Sequence, residues 1–358
     1  MLWHAHVRDP RWTCPAPDPA VLAFHRSLPG YTPTPLRDLP GVARDLGVRR
    51  VLAKDESSRL GLPAFKALGA SYAVHRALAA RAATGAQGVA TLVTATDGNH
   101  GRAVARFARI LGQRARIWIP RGVHPVAVAA IRGEGAEVTE LDADYDAAVA
   151  AAAAAAEADP DTLLIQDMAW PGYEEVPGWI VEGYATLAAE VDAQLADLGE
   201  GQPDLVVVPA GVGSLAQGIV AHYRSGMGSR TRLVTVEPTS AACVLASLVA
   251  GEPVSVETAE TIMTGLNCGT VSTAAWPHLV AGLDGAVAVT DGAAAAGMRE
   301  LAVQGVPSGP CGGAGLAALR GMVARDGGLA ARDHLQLGSD SVVVLLVTEG
   351  AEANPAGG

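Results

Sequence analysis

The sequence predicts an α/β protein with mostly parallel sheets. Short β-branched runs alternate with longer alanine- and leucine-rich segments over most of the 358 residues, a pattern typical of parallel strands joined by helical crossovers. Hydrophobic residues make up 49% of the chain and charged residues 18%, which supplies a packed core and excludes a disordered chain. The length permits two or three domains, or one large α/β unit with a smaller companion.

Nine strands are predicted from the short β-branched runs. They cover residues 50–54, 89–94, 115–119, 136–141, 162–166, 204–208, 232–236, 286–290 and 341–348. Helix formers fill the intervals, and the alanine-rich run at 145–158 is predicted to be a helix that Asp144 caps. The polar, glycine-containing stretch 198–203 is the best boundary in the interior of the chain.

Charge and cysteine content exclude several classes of partner. The net charge of -11 and the pI near 5.3 argue against binding to nucleic acid or to an anionic membrane surface. The first residues lack the features of a signal peptide and no window forms a long apolar span, so we expect a cytoplasmic protein. Four cysteines without metal-ligand spacing predict neither a disulfide framework nor a metal site.

Lysine is rare in this chain. Of its 26 basic residues, only Lys54 and Lys66 are lysines. Lys66 ends a polar loop where a helix is predicted to begin, and the partial positive charge of a helix N-terminus lowers the pKa of an amine there. A neutral amine is the nucleophile that Schiff-base chemistry requires. A solvated lysine is the alternative. Lys54, which ends a strand among acidic residues, is expected to form ion pairs.

Two strand–loop–helix segments are candidate ligand sites. Asp97 and Asn99 follow a predicted strand, which places them at the carboxyl edge of a parallel sheet, although Asp-Gly-Asn is also an ordinary turn sequence. The glycine-rich segment 209–218 follows another strand and offers backbone amides to a phosphate group. Its spacing also fits a dinucleotide loop, with Glu237 at the end of the next strand as the ribose ligand. An NAD site therefore remains an alternative, as does tight packing of helix against strand.

Asp167 is a third candidate, because it ends a predicted strand beside an aromatic-rich loop. A carboxylate in such surroundings can have a raised pKa and act as an acid or a base. A hydrogen-bonded turn residue is equally compatible with the pattern. The glycine-rich segment 308–315 is either a further cofactor loop or a turn that enters a helix.

Six ordered segments together carry a family resemblance. They are DESSRLGLPAFKALGASYA at 55–73, ATDGNHGR at 95–102, QDMAW at 166–170, VEGYATLAAE at 181–190, AGVGSLAQG at 210–218 and TIMTGLNCG at 261–269. The chain resembles the fold-type II pyridoxal-phosphate enzymes, the tryptophan synthase β-like group, and within it is most similar to the diaminopropionate ammonia-lyases. The resemblance runs from about Tyr31 to Gly350.

The resemblance implies a fold and an assembly. The fold is two doubly wound α/β domains with mostly parallel sheets and pyridoxal 5'-phosphate in the cleft between them. Residues 1–87 and 199–358 would form the large cofactor-binding domain, and residues 88–198 a smaller, mobile one. A homodimer is implied as well.

The resemblance also implies the reaction and its catalytic residues. Lys66 would bind the cofactor covalently, Asp97 would be the base for a D-isomer, and Asp167 would contact the substrate amine or modulate the site. The implied reaction is α,β-elimination from a small amino acid, D- or L-2,3-diaminopropionate, to pyruvate and ammonia. The residues implied to hold the cofactor are Lys66, Asn99 at the 3'-oxygen, Thr348 at the pyridine nitrogen, and Gly211, Val212, Gly213, Ser214 and Leu215 around the phosphate.

The sequence departs from the family pattern at two places. The loop that typically reads Ser-Gly-Glu-Ser-Gly has Pro310 and Cys311 in place of its acid and hydroxyl, and Ala351 stands where an aspartate is usual. A related serine/threonine-type dehydratase or a β-replacement enzyme therefore stays open, and an NAD-binding oxidoreductase is a more distant alternative. Cys243 and Cys268 fall on segments that can hold a cysteine pair, although free thiols are expected in the cytoplasm.

Overall fold

Eleven strands in two sheets form the framework of the part of the chain that the structure describes. The structure is a computed structural model and describes residues 1–227, 229–323 and 329–353. The strands are β1 Leu2–Ala5, β2 Leu36–Asp38, β3 Arg50–Asp55, β4 Thr91–Ala95, β5 Arg114–Ile119, β6 Glu137–Glu140, β7 Thr162–Leu164, β8 Leu205–Pro209, β9 Arg232–Pro238, β10 Gly285–Val289 and β11 Val342–Val347.

Thirteen α-helices within the described residues connect and cover these strands. They are α1 Ala20–Ser27, α2 Pro40–Leu46, α3 Lys66–Ala83, α4 Asn99–Ile110, α5 Pro125–Gly133, α6 Tyr145–Ala158, α7 Glu175–Asp197, α8 Ser214–Tyr223, α9 Cys243–Ala250, α10 Trp276–Gly282, α11 Asp291–Val303, α12 Pro310–Val323 and α13 Leu329–His334. A short 3-10 helix spans Thr264–Leu266. The predicted helix at 145–158 is confirmed, and the Asp144 side chain accepts a hydrogen bond from the backbone amide of Ala147 at its start.

The strand order confirms the α/β prediction. The larger sheet has the order β1-β10-β9-β8-β11-β3-β2 and the smaller one β6-β5-β4-β7. In the larger sheet β1 pairs with β10 and β2 with β3 in antiparallel fashion, whereas the inner pairs and those of the smaller sheet are parallel. All nine predicted strands are present. The sequence analysis missed β1 and β2, which are edge strands of four and three residues without a buried apolar run.

Buried strands lie at the centre of the larger sheet. Every residue of β8, β10 and β11 is buried, which requires helices on both faces of the sheet. One apolar core includes residues of α3, α7 and α8, and a second includes residues of α2, α11 and α12. Among the described residues, we find no helix with the length and apolar character needed to cross a membrane. All four cysteines fall within these residues and are free thiols.

The N-terminal turn of α3 is held close to α7 by two glycines. A Cβ at Gly69 would lie 2.6 Å from the Tyr184 ring, and a Cβ at Gly183 would lie 2.7 Å from the backbone oxygen of Leu68. Side chains at these positions would therefore push the two helices apart. The close approach sets where Lys66, the first residue of α3, lies relative to Tyr184.

Lys54 lies in a buried network of charged groups. Its Nζ donates hydrogen bonds to the backbone oxygen of Thr34 at 2.7 Å, to Glu190 Oε2 at 2.7 Å and to Gln194 Oε1 at 2.9 Å. Arg59 holds the other oxygen of Glu190 at 2.6 Å. The expected ion pair of Lys54 is confirmed, and the three hydrogens of its ammonium meet three acceptors.

Lys54→Met is expected to lower the free energy of unfolding by about 3 kcal/mol, because it removes one member of a buried ion pair and leaves its three acceptors short of a donor. Urea denaturation measures the loss. Arg121→Met is the matched control, because Arg121 pairs with Asp142 at the surface, where the two side chains are 68% and 92% exposed. That variant should lose less than about 1 kcal/mol. Equal losses in the two variants would contradict the role assigned to Lys54.

Candidate active site

Backbone contacts place Lys66 beside the end of β11. The amide of Phe65 donates to the carbonyl of Thr348 at 3.1 Å, and the amide of Gly350 donates to the carbonyl of Pro63 at 2.9 Å. The loop before α3 is thus paired with the segment that follows β11. Lys66 and Thr348, which are far apart in the sequence, are brought together by these bonds.

Lys66 and Asp167 form an ion pair. The Lys66 Nζ donates to Asp167 Oδ2, and the two side chains are 23% and 11% exposed. Burial opposes the charge of the ammonium, but the Asp167 carboxylate outweighs burial and raises the pKa of Lys66 above its ordinary value. The lowered pKa that the helix N-terminus predicted for Lys66 is therefore wrong in this arrangement, because a carboxylate in direct contact acts more strongly than the helix dipole.

The two aspartates of the site have different proton affinities. Burial favours the neutral form of Asp167, but Lys66 and His100 outweigh it and lower the pKa of Asp167 to about 2. The raised pKa expected for Asp167 is therefore wrong. Asp97 shows the opposite shift, because burial and the charge of Asp167 raise its pKa to about 6 despite the nearby Lys66. Two carboxylates with separated pKa values in one site can take different roles in proton transfer.

Asn99 lies at the start of α4 and reaches the segment after β11. Gly98, with a φ of +150°, precedes it in a backbone conformation that favours glycine. The Asn99 Nδ2 donates to Glu349 Oε2 at 2.9 Å. The next residue, His100, contacts the backbone oxygen of Ile165 through Nε2 at 2.6 Å, and its Nδ1 lies 3.9 Å from Asp167 Oδ2.

The glycine-rich loop between β8 and α8 contacts the same site. Gly213 has a φ of +98°, and a Cβ there would lie 2.7 Å from Leu279 Cδ1, so the loop requires glycine. The Ser214 Oγ donates to the backbone oxygen of Asp167 at 3.1 Å. The first amides of α8 have no acceptor within the helix, which makes the loop suited to an anionic group. Of the predicted phosphate ligands, Gly211, Val212 and Gly213 lie in this loop, and Ser214 and Leu215 are the first residues of α8.

Glu237 does not fit the dinucleotide alternative. It is fully buried, and its two oxygens accept hydrogen bonds from the amides of Val244 at 2.7 Å and Leu245 at 2.8 Å at the start of α9. Burial raises the pKa of Glu237 to about 8, although the two amides act in the opposite direction. Its carboxyl group is engaged by this helix rather than available to a ribose.

The sequence analysis missed three residues of the site. The Gln166 Nε2 donates to the Tyr145 hydroxyl at 2.9 Å and lies 3.4 Å from Asp167 Oδ1. Burial, reinforced by the charge of Asp167, raises the pKa of Tyr145 well above its ordinary value. Glu349 accepts the amide of Asn99, as described above. The alanine-rich composition around Tyr145 offers no signal of a site, and Glu349 is visible only as the neighbour of Thr348.

Several buried polar atoms around these residues lack a partner. Within the described part of the chain, His100 Nδ1, Asn267 Oδ1 and Ser308 Oγ are buried without a hydrogen bond. Buried polar groups are usually satisfied, so these atoms indicate a polar ligand. An amine at Lys66, free helix amides at α8 and the Asn99 amide fit a ligand that carries an aldehyde, a phosphate and a polar ring.

The comparison with protein families agrees with this chemistry. A model of the family described as pyridoxal-phosphate dependent enzyme matches residues 27–349. The chain belongs to this family. The match favours pyridoxal phosphate over NAD as the cofactor, and the fold-type II prediction is confirmed.

Several pyridoxal-phosphate enzymes are similar to this protein over most of its length. The diaminopropionate ammonia-lyase of Salmonella typhimurium is 37% identical over 356 residues, which cover 92% of this chain and 88% of that enzyme. The crystal structure of the Escherichia coli diaminopropionate ammonia-lyase with D-serine has a TM-score of 0.90 at 34% identity, and covers 98% of this chain and 94% of that one. The structure of the same enzyme with an aminoacrylate-PLP azomethine reaction intermediate has a TM-score of 0.88, with the same identity and coverage.

Proposed function

We propose that this pyridoxal-phosphate enzyme catalyses α,β-elimination from 2,3-diaminopropionate to give pyruvate and ammonia. The observation that carries the proposal is the ion pair of Lys66 and Asp167 beside the glycine-rich loop, with Asp97 close enough for both charges to shift its pKa. The similarity to diaminopropionate ammonia-lyases over most of the chain supports it further.

Pyridoxal phosphate supplies the electron sink that stabilises the negative charge left when the substrate loses its α-proton. We propose that Lys66 binds it covalently and that residues 211–215 hold its phosphate with the amides at the start of α8. Asn99 would donate to the ring oxygen, and Thr348 would meet the ring nitrogen. A neutral hydroxyl at this position does not require the ring nitrogen to be protonated. An unprotonated ring nitrogen suits elimination.

Proton transfer is assigned to Lys66 and Asp97. A carboxylate with a pKa near 6 can accept a proton at neutral pH. Lys66 could do the same only when Asp167 no longer holds its amine in the charged form. With one base for each isomer, the site would accept D- and L-substrates.

Asp167 is assigned to the substrate amine. Against the effect of burial, the ion pair with Lys66 lowers the pKa of Asp167 and keeps the carboxylate charged. We propose that a substrate ammonium takes the place of Lys66 in this pair and keeps Asp167 charged in the same way. A protonated β-amine is a better leaving group than a neutral one, so binding it as an ammonium promotes its departure. Serine and threonine, which carry a neutral hydroxyl there, gain nothing from this charge.

Pyruvate formation across D- and L-diaminopropionate, serine and cysteine, with oxobutyrate formation from threonine, tests the substrate assignment. We expect the highest kcat/KM with diaminopropionate. Higher values with serine or threonine would instead indicate the dehydratase alternative, and a β-substituted amino acid formed with an added nucleophile would indicate β-replacement.

We further propose that residues 88–198 form a smaller domain that moves against the rest. All four strands of the smaller sheet fall within this range, and α7, which packs on α1, α3 and α8, would link the two domains. The family resemblance favours a homodimer, and the sequence features favour a cytoplasmic location. Light scattering of the purified protein measures its mass and tests the dimer.

A further inference from the structure

Glu349 is a buried acidic residue to which the family resemblance assigns no role. It follows Thr348 after β11 and is 2% exposed. Its Oε2 accepts Asn99 Nδ2 at 2.9 Å, and its Oε1 accepts the backbone amide of Cys311 at 3.3 Å. Its own backbone pairs with Ala64 in the loop before Lys66. One carboxylate thus joins three segments of the active site.

The surrounding loop leaves room for this carboxylate. A Cβ at Gly309 would lie 2.8 Å from Glu349 Oε1, and the amide of Gly309 donates to the Glu349 carbonyl at 3.0 Å. Any larger residue at this position would displace the acid. The loop that enters α12 is therefore shaped around Glu349.

The contact with Asn99 fixes the orientation of its amide. A carboxylate only accepts hydrogen bonds, so it binds the Nδ2 end of an amide and not the Oδ1 end. One hydrogen of Nδ2 is then used by Glu349, and the second remains to donate to another acceptor. A rotation of 180° would set the Asn99 oxygen against a negative charge, which is unfavourable in a buried place.

We propose that Glu349 is a positioning residue, which holds the Asn99 amide with its second N–H directed to the ring oxygen of pyridoxal phosphate. This inference rests on the proposed function, because it needs the cofactor at Lys66. It adds a residue that acts on the cofactor through Asn99 without contacting it.

Glu349→Gln tests the proposal. A carboxamide has a single acceptor oxygen, so it cannot serve both Asn99 and Cys311, and the amide of Asn99 loses its fixed orientation. Titration of the cofactor-free full-length protein with pyridoxal phosphate is expected to give roughly tenfold weaker binding. The pH midpoint of the visible absorption band should also shift. Glu300→Gln, which removes the same charge from the ion pair with Arg320 outside the site, should change neither quantity.

A double-mutant cycle separates positioning from a purely structural role. In an Asn99→Ala background, Glu349→Gln should weaken pyridoxal phosphate binding less than twofold further, because the Asn99 amide through which Glu349 acts on the cofactor is already absent. The same tenfold loss in both backgrounds would overturn the proposal, as would unchanged binding and spectra in the single variant.

If Glu349→Gln folds poorly, a double variant in which the acid and the amide exchange places provides the test. In the Asn99→Asp, Glu349→Gln double variant, the glutamine donates to the aspartate, so the contact and the melting temperature should return while the cofactor spectrum should not. A spectrum restored together with stability would refute the positioning role. Failure of the proposed function looks different, because wild-type protein would then form no pyruvate from diaminopropionate, or no hydride-trapped adduct at Lys66, whatever the result with Glu349→Gln.

Discussion

Lys66→Arg is expected to lower the rate of pyruvate formation by roughly 10³-fold or more while leaving the fold intact. Arginine keeps the positive charge that pairs with Asp167, so the buried carboxylate is not left alone. A guanidinium stays protonated, and it therefore provides neither the covalent link to the cofactor nor the general base, which alone contributes roughly 10²–10⁴-fold. Kinetics with L-diaminopropionate and thermal melting measure the two effects separately.

Peptide mapping after hydride reduction adds a second measurement. The chain has two lysines, and Lys54 is fully buried, so the adduct should lie on the peptide that contains Lys66 and should be missing in Lys66→Arg. An adduct that persists in the variant, or one found on Lys54, would refute the assignment. Lys66→Ala is a useful comparison, because it should also lose stability by leaving Asp167 without its cation.

Asp97→Asn is expected to reduce kcat/KM for D-diaminopropionate by roughly 10²- to 10⁴-fold and to leave the L-isomer within a few fold. The carboxamide keeps the size of the side chain and removes its basicity. In wild type, activity on the D-isomer should fall as the pH drops through about 6, where Asp97 becomes protonated. Equal losses on both isomers would argue against two separate bases.

The same variant has a consequence for stability. The pKa of Asp97 is raised from 3.8 to about 6 on folding, so the folded state binds the proton more tightly than the unfolded state. The contribution of Asp97 to stability is thus present below pH 3.8 and is lost as the pH rises through about 6. Cofactor-free Asp97→Asn should therefore melt higher than wild type at pH 7 but not at pH 4. Asp167→Asn, which removes the partner of Lys66, should melt lower at pH 7.

Most of the fold could be predicted from local sequence patterns. The nine predicted strands are recognisable as short β-branched runs, although β6 and β7 are partly exposed edges of the smaller sheet. The helix at 145–158 is recognisable from its alanines and its cap. Strand β1 is a short edge that pairs with β10 near the other end of the chain, and β2, which pairs with the next strand β3, is only three residues long. Composition alone holds no signal for such pairings.

The site was less accessible to sequence reasoning than the fold. Motifs identified Lys66 and the glycine-rich loop, because helix starts and glycine spacing are local features. The proton affinities of Lys66 and Asp167 depend on a contact between residues 101 positions apart, and the link from Asn99 to Glu349 spans 250 positions. The contact between Lys66 and Asp167 reverses the pKa shifts that the sequence around each of these residues suggests.

The burial of Lys54 has a practical consequence for amine chemistry on this protein. Since Lys54 is 0% exposed and Lys66 keeps 23% of its side-chain surface, a reagent that modifies lysine side chains meets Lys66 and not Lys54 in the folded chain. With the cofactor attached to Lys66, this lysine would be protected as well. The extent of labelling at Lys66 would then report the fraction of molecules that lack the cofactor.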